Sequence, residues 1–275
     1  MSDAVNPLFK PEFPRSNRYD PDWMMDTQMG PNPVWLMEWL TDGMTLREGM
    51  RVLDLGCGRA STSIFLAKEF GVQVWAADLW IGPDQNWRRA REAGVESQVI
   101  PQRMEAHALP FAQGFFDAIV SVDAYQYFGT DVMYLGYLMR FLRAGGQLGV
   151  VVPALMQEIE EVPAALCEPQ SNGKVFWEDD CWSFKTAAFW ERMWKRSGKV
   201  RDVLVDAQPE GWRHWRDFER ALEAAGKSIF PSDAEAIDRD AGSTLGFVRM
   251  RAERTDTEAM NLYDPSLGVQ VGVDS

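Results

Sequence analysis

The sequence predicts an α/β protein built on a parallel sheet. The strongest indication is the stretch RVLDLGCGRAS at residues 51–61, which reads as a buried strand, a glycine turn and the start of a helix. A second apolar strand, VQVWAAD, follows and ends in Asp78. Strands then continue to alternate with helices, and this order produces parallel crossover units. The 275 residues are enough for one large domain of this kind with insertions.

Five further apolar runs predict the rest of the sheet. In chain order these runs are SQVIPQ, FFDAIVSVD, AGGQLGVVVP, VRDVLVDA and STLGFVRMRAER. The helices between them are marked at their ends, because proline favours the first helical turn and glycine the position after the last. One such helix opens at Pro83 and ends at Gly94, and a later one ends at Gly198.

The segments at the two ends of the chain are predicted to lie outside the sheet domain, which spans residues 45–252. Residues 1–44 form an N-terminal arm and one helix, and the four prolines among residues 1–22 favour an extended arm. Pro33 and Gly43 bracket the helix. Residues 253–275 are predicted to be a flexible tail.

Tryptophan-rich segments after the fifth strand predict a helical cap. Residues 153–183 follow no helix or strand rhythm, and residues 208–241 add a helix between the last two strands. Six of the 12 tryptophans follow the fifth strand: Trp177, Trp182, Trp190, Trp194, Trp212 and Trp215. These rings either form a second hydrophobic core or line a ligand cavity.

Composition and charge narrow the classes of function. The chain has 28 basic and 41 acidic residues, a net charge of −13, which disfavours nucleic acid or an anionic membrane as the partner. No apolar run is long enough to span a bilayer, so no stable membrane association is expected. Three cysteines without a paired pattern favour the reducing cytoplasm. Two isolated histidines and the lack of a CxxC motif predict no metal site.

The glycine turn predicts a nucleotide-type site. Gly56 and Gly58 carry no Cβ, so a ligand can lie against the backbone, where the free N–H groups of the next helix also point. The carboxylate of Asp78 is suited to accept hydrogen bonds from two ribose hydroxyls. Asp54 adds a second acid, which would repel a pyrophosphate but attract a cation, and Ser61 stands where a dinucleotide fold needs its third glycine. S-adenosylmethionine fits, because it has a ribose, an ammonium, a sulfonium and no phosphate.

The stretch VLDLGCGRA resembles motif I of the class I S-adenosylmethionine-dependent methyltransferases, with Ala60 at the position of the motif's third glycine. The likeness is to the small-molecule branch that is cyclopropane-synthase-like and menaquinone-methyltransferase-like. It implies a Rossmann-like, seven-stranded, mostly parallel sheet with an antiparallel last strand, here with a helical, tryptophan-rich cap. It also implies S-adenosyl-L-methionine as cofactor and methyl transfer to a small-molecule acceptor by in-line displacement.

The resemblance assigns further residues to the cofactor. The segment RMEAHALPF resembles the family segment that carries an acid before a Leu-Pro-Phe turn, which places Glu105 and Ala106 at the adenine edge. Leu79 lies beside the adenine if Asp78 holds the ribose, whereas Trp80 belongs either to the adenine site or to the core. In this family the segment before motif I often closes over the cofactor. The helix after Pro33 is therefore either such a lid or a helix packed on the sheet edge.

The exit of the fourth strand predicts the methyl-transfer face. Ligands in open α/β sheets bind at the carboxyl ends of strands, so four side chains are expected there: Ser121, Asp123, Tyr125 and Tyr127. Ser121 is assigned to the cofactor and Tyr125 to the acceptor. Asp123 and Tyr127 are the catalytic candidates, and His107 is a third candidate base.

The acceptor cavity is expected to include at least one cap tryptophan from the set Trp177, Trp182, Trp190 and Trp194. A lipid acceptor is the main alternative to a small polar or aromatic one. A catalytically silent S-adenosylmethionine-binding protein is another, and a nicotinamide-dependent oxidoreductase is the last, which would leave Asp54 without a role. A monomer or a homodimer is expected.

Overall fold

Eight strands form one mixed sheet in the computed structural model, which describes residues 6–256. The strands are β1 Arg51–Leu55, β2 Gln73–Asp78, β3 Val99–Arg103, β4 Phe116–Val122, β5 Leu142–Leu155, β6 Lys185–Thr186, β7 Val200–Ala207 and β8 Leu245–Arg254. Their order is β3-β2-β1-β4-β5-β8-β7, and the two-residue β6 pairs with β5. Neighbours are parallel except β8, which is antiparallel to β5 and β7. The mostly parallel sheet with an antiparallel last strand is therefore confirmed, and β6 is an addition to it.

Nine α-helices accompany the sheet within the described residues. They are α1 Pro21–Asp26, α2 Pro33–Thr41, α3 Ser61–Phe70, α4 Pro83–Glu92, α5 Tyr134–Leu138, α6 Ala164–Cys167, α7 Ala187–Ser197, α8 Gly211–Ala225 and α9 Ala234–Asp240. Proline begins three of them, where its missing N–H costs no helical hydrogen bond. Asn32 caps α2 by accepting hydrogen bonds from the N–H groups of Val34 and Trp35, at 3.0 and 3.2 Å.

The strand order reverses at β1, which has β2 on one side and β4 on the other. The helices that leave these neighbouring strands therefore diverge to opposite sides of a crevice. Open α/β sheets bind their ligands in the crevice outside the carboxyl ends of such strands.

Two hydrophobic layers cover opposite faces of the sheet, because alternate strand residues point to opposite sides. Val151 belongs to the first layer, which contains side chains of α2, α3 and α8, while its neighbour Val150 belongs to the second. Trp190 and Trp194 of α7 are completely buried in that second layer. The layer to which a tryptophan belongs determines whether its ring can reach a ligand.

The N-terminal arm packs on the first face and forms a series of turns, where the sequence predicted an extended arm. Phe13 is buried and stacks on Trp35 of α2 with 5.7 Å between ring centroids. Lys227, which follows α8, forms ion pairs with Asp22 and Asp26 of α1 at 3.0 and 2.9 Å. Apolar burial and these ion pairs hold the arm and α1 against the body of the protein.

The two predicted cap insertions contact each other over the same face. Phe176 meets the ring of Trp215 edge-on at 5.7 Å, and Lys174 pairs with Asp233 at 3.2 Å. β8 continues to Arg254, two residues beyond the predicted end of the sheet domain. The rest of the predicted tail, from residue 257 onward, lies outside the described residues.

Candidate functional site

A cavity of about 530 Å³ opens at the carboxyl ends of β1, β2 and β4. Its walls come from the glycine turn after β1, the loops after β2, β3 and β4, and the segment between α1 and α2. Eight of the residues predicted for the site line it: Gly56, Gly58, Asp78, Leu79, Glu105, Ala106, Asp123 and Tyr127. The other predicted residues lie elsewhere and are described below.

The glycine turn after β1 is shaped by positive φ angles and by close protein contacts. Gly56 and Gly58 have φ of 77° and 52°, a conformation that side chains disfavour. A Cβ on Gly56 would lie 2.3 Å from the Cβ of Ala124, and one on Gly58 would lie 3.1 Å from the Sδ of Met29. The space freed by the missing side chains is therefore used by protein atoms, and the turn backbone still forms part of the cavity wall.

Asp54 lies beneath the turn and does not line the cavity, contrary to its assignment as a cofactor contact. It is 1% exposed, and one carboxylate oxygen accepts hydrogen bonds from the hydroxyls of Thr62 and Ser63, both at 2.6 Å. Burial raises the pKa of this carboxyl from its ordinary 3.8 to about 6, although the two hydroxyls act in the opposite direction. Asp54 therefore joins β1 to the first turn of α3.

Asp78, at the end of β2, presents its carboxylate to the cavity in a fixed orientation. Its Oδ2 accepts a hydrogen bond from the N–H of Gly58 at 2.8 Å. Its Oδ1 accepts from the N–H groups of Trp80 and Ile81 at 2.8 and 2.9 Å. A carboxylate has about four acceptor positions, so three backbone donors leave one position for a hydroxyl. The Asp78 carboxylate can therefore accept a hydrogen bond from a ribose hydroxyl.

The loop after β2 supplies an apolar surface beside Asp78. Leu79 is half-exposed and Trp80 is 71% exposed, and both line the cavity. The core alternative for Trp80 is therefore wrong. Glu105 lines the same end, and its carboxylate accepts from the backbone N–H of His107 at 2.8 Å and contacts that residue's ring Nδ1 at 2.8 Å. An adenine has an apolar face and a polar edge, and this end of the cavity offers a matching surface for each.

Ser121 does not reach the cavity, so its assignment to the cofactor is wrong. It is 1% exposed, and its hydroxyl donates to the backbone carbonyl of Leu55 at 2.7 Å. Neighbouring residues of a strand point to opposite faces, and only the residues after the strand end turn into the crevice. The contact of Ser121 with β1 stabilises the strand pair instead.

A second part of the lining, called here the far end of the cavity, is formed by Asp123, Tyr127 and Phe128 after β4 and by Asp180 of the first cap insertion. Asp123 follows β4 with φ of 52°, and its Oδ1 accepts a hydrogen bond from the side-chain amide of Gln126 at 3.1 Å. Burial raises the pKa of the Asp123 carboxyl to about 7, and the nearby charge of Asp180 acts in the same direction. Tyr127 keeps half of its surface exposed, and burial and both carboxylates raise its pKa.

None of the five residues predicted to contact the acceptor lines the cavity. Tyr125, Trp190 and Trp194 are fully buried, and the Tyr125 ring lies 5.7 and 6.1 Å from the two tryptophan rings in the second layer. They cannot contact a ligand, because α7 covers the face of the sheet remote from the arm. Trp182 meets Trp177 edge-on at 5.2 Å, and neither ring lines the cavity. All four predicted tryptophans, the fourth being Trp177, therefore lie outside it.

The segment between α1 and α2, which directly precedes the predicted lid helix, forms a wall of the cavity. Met29, Gly30 and Pro31 line the cavity. A Cβ on Gly30 would lie 2.7 Å from the Oδ2 of Asp123, so this segment touches the far end directly. Asp180, on the short helical turn of the first cap insertion, also lines the cavity, as the sequence had suggested for the acids beside the cap tryptophans.

No group of three or more candidate metal ligands, and no helix long and apolar enough to cross a membrane, occurs in residues 6–256. The three cysteines are free, and Cys57 and Cys181 are buried.

Comparison with known proteins identifies relatives of the sheet domain. Residues 52–146 match the family described as a methyltransferase domain. The chain is similar to methyltransferase GfsG of Streptomyces halstedii, with 25% identity over 60% of this chain and 61% of that one. It is also similar to 2-methyl-6-phytyl-1,4-hydroquinone methyltransferase of Synechocystis, with 32% identity over 43% of this chain and 36% of that one. These matches span less than two thirds of either relative.

The fold is similar to that of geranyl diphosphate C-methyltransferase from Streptomyces coelicolor. The TM-score is 0.61 with 18% identity, over 80% of this chain and 78% of that one. At this identity the likeness concerns the fold.

Proposed function

We propose that this chain, whose residues 52–146 match a methyltransferase domain, is a class I enzyme that transfers a methyl group from S-adenosyl-L-methionine to a small-molecule acceptor. The observation that carries the proposal is the end of the cavity formed by Asp78, the glycine turn and the exposed Leu79–Trp80 pair. A carboxylate beside an apolar surface suits a ribose joined to an adenine, and this end contains no cluster of cations for a phosphate.

The proposal gives each cavity residue a part in binding the methyl donor. Asp78 accepts a hydrogen bond from a ribose hydroxyl, and the backbone N–H donors that hold its carboxylate keep it oriented. Leu79 and Trp80 pack on the adenine, and Glu105 and Ala106 lie at its edge. When bound, S-adenosylmethionine supplies an electrophilic methyl group on a sulfonium.

At the far end, the chain's own residues align the acceptor and exclude water, which are the main requirements of in-line displacement. Asp123 and Tyr127 are the candidate catalytic groups. Asp123 is the better base, because its pKa of about 7 leaves a large fraction ionised at neutral pH, whereas the pKa of Tyr127 is raised above its ordinary value.

The remaining parts of the proposal concern partners and location. A small molecule is favoured over nucleic acid, because the chain carries a net charge of −13. The same charge disfavours docking on anionic lipid, so a lipid is the less favoured alternative to a small-molecule methyl acceptor. The free cysteines support a cytoplasmic location, and we propose a monomer or a homodimer. The arm and lid at residues 1–44, the domain at 45–252 and the two cap insertions are proposed as its functional parts.

Calorimetric binding tests the proposed function directly. S-adenosylmethionine and its demethylated product should bind with one-to-one stoichiometry, and NAD should not bind. Asp78→Ala should weaken binding by about 2–4 kcal/mol, because the charged partner of a ribose hydroxyl is lost. Asp84→Ala is the matched control, since Asp84 lies on the exposed first turn of α4 outside the cavity and should leave affinity unchanged. Binding of NAD, or equal affinity in the wild type and Asp78→Ala, would contradict the proposal.

A further inference from the structure

The cavity lining has an excess of negative charge. Its lining contains four acids, Asp78, Glu105, Asp123 and Asp180, and one base, Arg59. The guanidinium of Arg59 donates to the backbone carbonyl of Asp26 at 2.8 Å, on the arm side of the cavity. The balance of lining charges therefore favours a ligand with positive charge over an anionic one.

Two of the four acids already have their partners inside the protein. Asp78 accepts three backbone N–H hydrogen bonds, as described above. Glu105 contacts the backbone and ring of His107. Asp123 and Asp180, in contrast, form no ion pair with any described residue. Asp123 has one hydrogen-bond donor, the Gln126 amide on Oδ1.

Because of its position, the ionised form of Asp123 is destabilised by the lack of a positively charged partner. The backbone of Gly30 lies so close that a Cβ there would be 2.7 Å from Oδ2, so the carboxylate is packed under the segment between α1 and α2. A carboxylate partly removed from water without a cation loses solvation that its single hydrogen bond repays only in part. The charge of Asp180 adds to this cost, and burial together with that charge raises the pKa of Asp123. A cation bound between the two would relieve both effects.

Aromatic and apolar surfaces complete this end of the cavity. Tyr127 and Phe128 line it, together with Met29 and Pro31 from the arm side. Aromatic faces attract cations and also accommodate an apolar body. The wall therefore fits a molecule with an apolar portion and one positively charged group.

We propose that the methyl acceptor is an amine, bound as an ammonium between Asp123 and Asp180 against the Tyr127 ring, and methylated on nitrogen. This inference rests on the proposed function. The ammonium gives one proton to the Asp123 carboxylate, which frees the nitrogen lone pair. The nitrogen–methyl bond forms while the methyl–sulfur bond breaks, and the bonding electrons stay on sulfur as a neutral thioether. The product leaves as a methylated ammonium, and Asp123 returns its proton to solvent.

The same geometry disfavours other acceptors. A phosphate or carboxylate near the transferred methyl would face two carboxylates without a lining cation at that end. A neutral alcohol or phenol would use Asp123 as a base but would gain no attraction from the charge of Asp180. The two carboxylates together thus select for positive charge.

Three matched probes test the inference: 2-phenylethylamine, 2-phenylethanol and phenylacetate, each titrated into the protein saturated with S-adenosylhomocysteine. The amine should bind about tenfold or more tightly than the alcohol, and the anion should not bind. Asp123→Asn and Asp180→Asn should each remove most of this preference. Asp179→Asn is the control, because Asp179 is exposed, adjacent in sequence and outside the cavity lining.

The number of protons released on amine binding provides a second test, because a purely structural role of Asp123 would not change it. The carboxyl of Asp123 is about half protonated at pH 7, and a bound ammonium lowers its pKa, so amine binding should release roughly half a proton. Calorimetry in two buffers of different ionisation enthalpy measures this release, which Asp123→Asn should abolish. Equal affinity for amine and alcohol, or binding of neither, overturns the inference. If S-adenosylhomocysteine still binds in that case, the proposed function survives; if it does not bind, both fail.

Discussion

Asp54→Asn tests whether the buried acid of the motif supports the turn or contacts the methyl donor. The carboxyl is 1% exposed and accepts two hydroxyl hydrogen bonds, from Thr62 and Ser63. Its pKa is about 6 in the folded protein, against an ordinary value of 3.8. A difference of about 2 units corresponds to about 3 kcal/mol between the two protonation states.

The sign of the effect follows from the raised pKa. The fold favours the protonated form, so the stability contributed by Asp54 is fully present below about pH 3.8 and is lost as the pH rises through about 6. Asparagine stays neutral, and its amide oxygen, in the place of the Asp54 Oδ2, can accept from both hydroxyls. Between about pH 4 and pH 7 the wild type should therefore lose about 3 kcal/mol relative to the variant.

Urea unfolding of both proteins from pH 4 to pH 8 measures this difference, which should also shift the melting temperature by roughly 6–12 °C. The raised pKa of Asp123 is present in both proteins, so its contribution cancels. The affinity for S-adenosylhomocysteine should change by no more than a few-fold. Parallel stability curves would refute the structural role, and a large loss of affinity at unchanged stability would make Asp54 a ligand contact.

Two further predictions concern metal and the cap. Methyl transfer to an amine acceptor should survive a strong chelator, because the described residues contain no cluster of metal ligands; loss of activity together with a stoichiometric metal would contradict this. Trp194→Ala should cost about 3–5 kcal/mol of unfolding free energy, because the ring is fully buried, whereas the half-exposed Trp182 should change stability by less than about 1 kcal/mol when replaced by alanine. Urea unfolding measures both, and equal losses would show that the two rings are equally part of the core.

The end of the cavity proposed to bind the methyl donor was predictable, because the sequence motifs that form it are short and continuous. A strand, a glycine turn and an acid at the next strand end fix their own relative positions, so Gly56, Gly58 and Asp78 line the cavity as the sequence indicated. Ala60 adopts φ of 62°, so the turn keeps its left-handed conformation without the third glycine. An alanine in this conformation costs roughly 1–2 kcal/mol, which the packing of the turn must offset.

The acceptor end was less predictable because it depends on which face each helix covers. Helical periodicity correctly places Trp190 and Trp194 on one side of α7, but it carries no information on which face of the sheet receives that helix. The predictions for Asp54 and Ser121 were limited in a similar way, because the position of a residue near a strand end does not give the direction of its side chain. Asp180 enters the cavity through a tertiary contact between two loops, which no sequence pattern records.

The wall formed by residues 29–31 has a consequence for turnover. One continuous segment lies over Gly58 and also over Asp123, so it closes the donor end and the acceptor end together. We expect both products to share a single exit and to depart in one opening event. The segment continues from α1, which Lys227 holds through surface ion pairs with Asp22 and Asp26. Salt weakens such pairs, so the rate of product departure should rise with ionic strength.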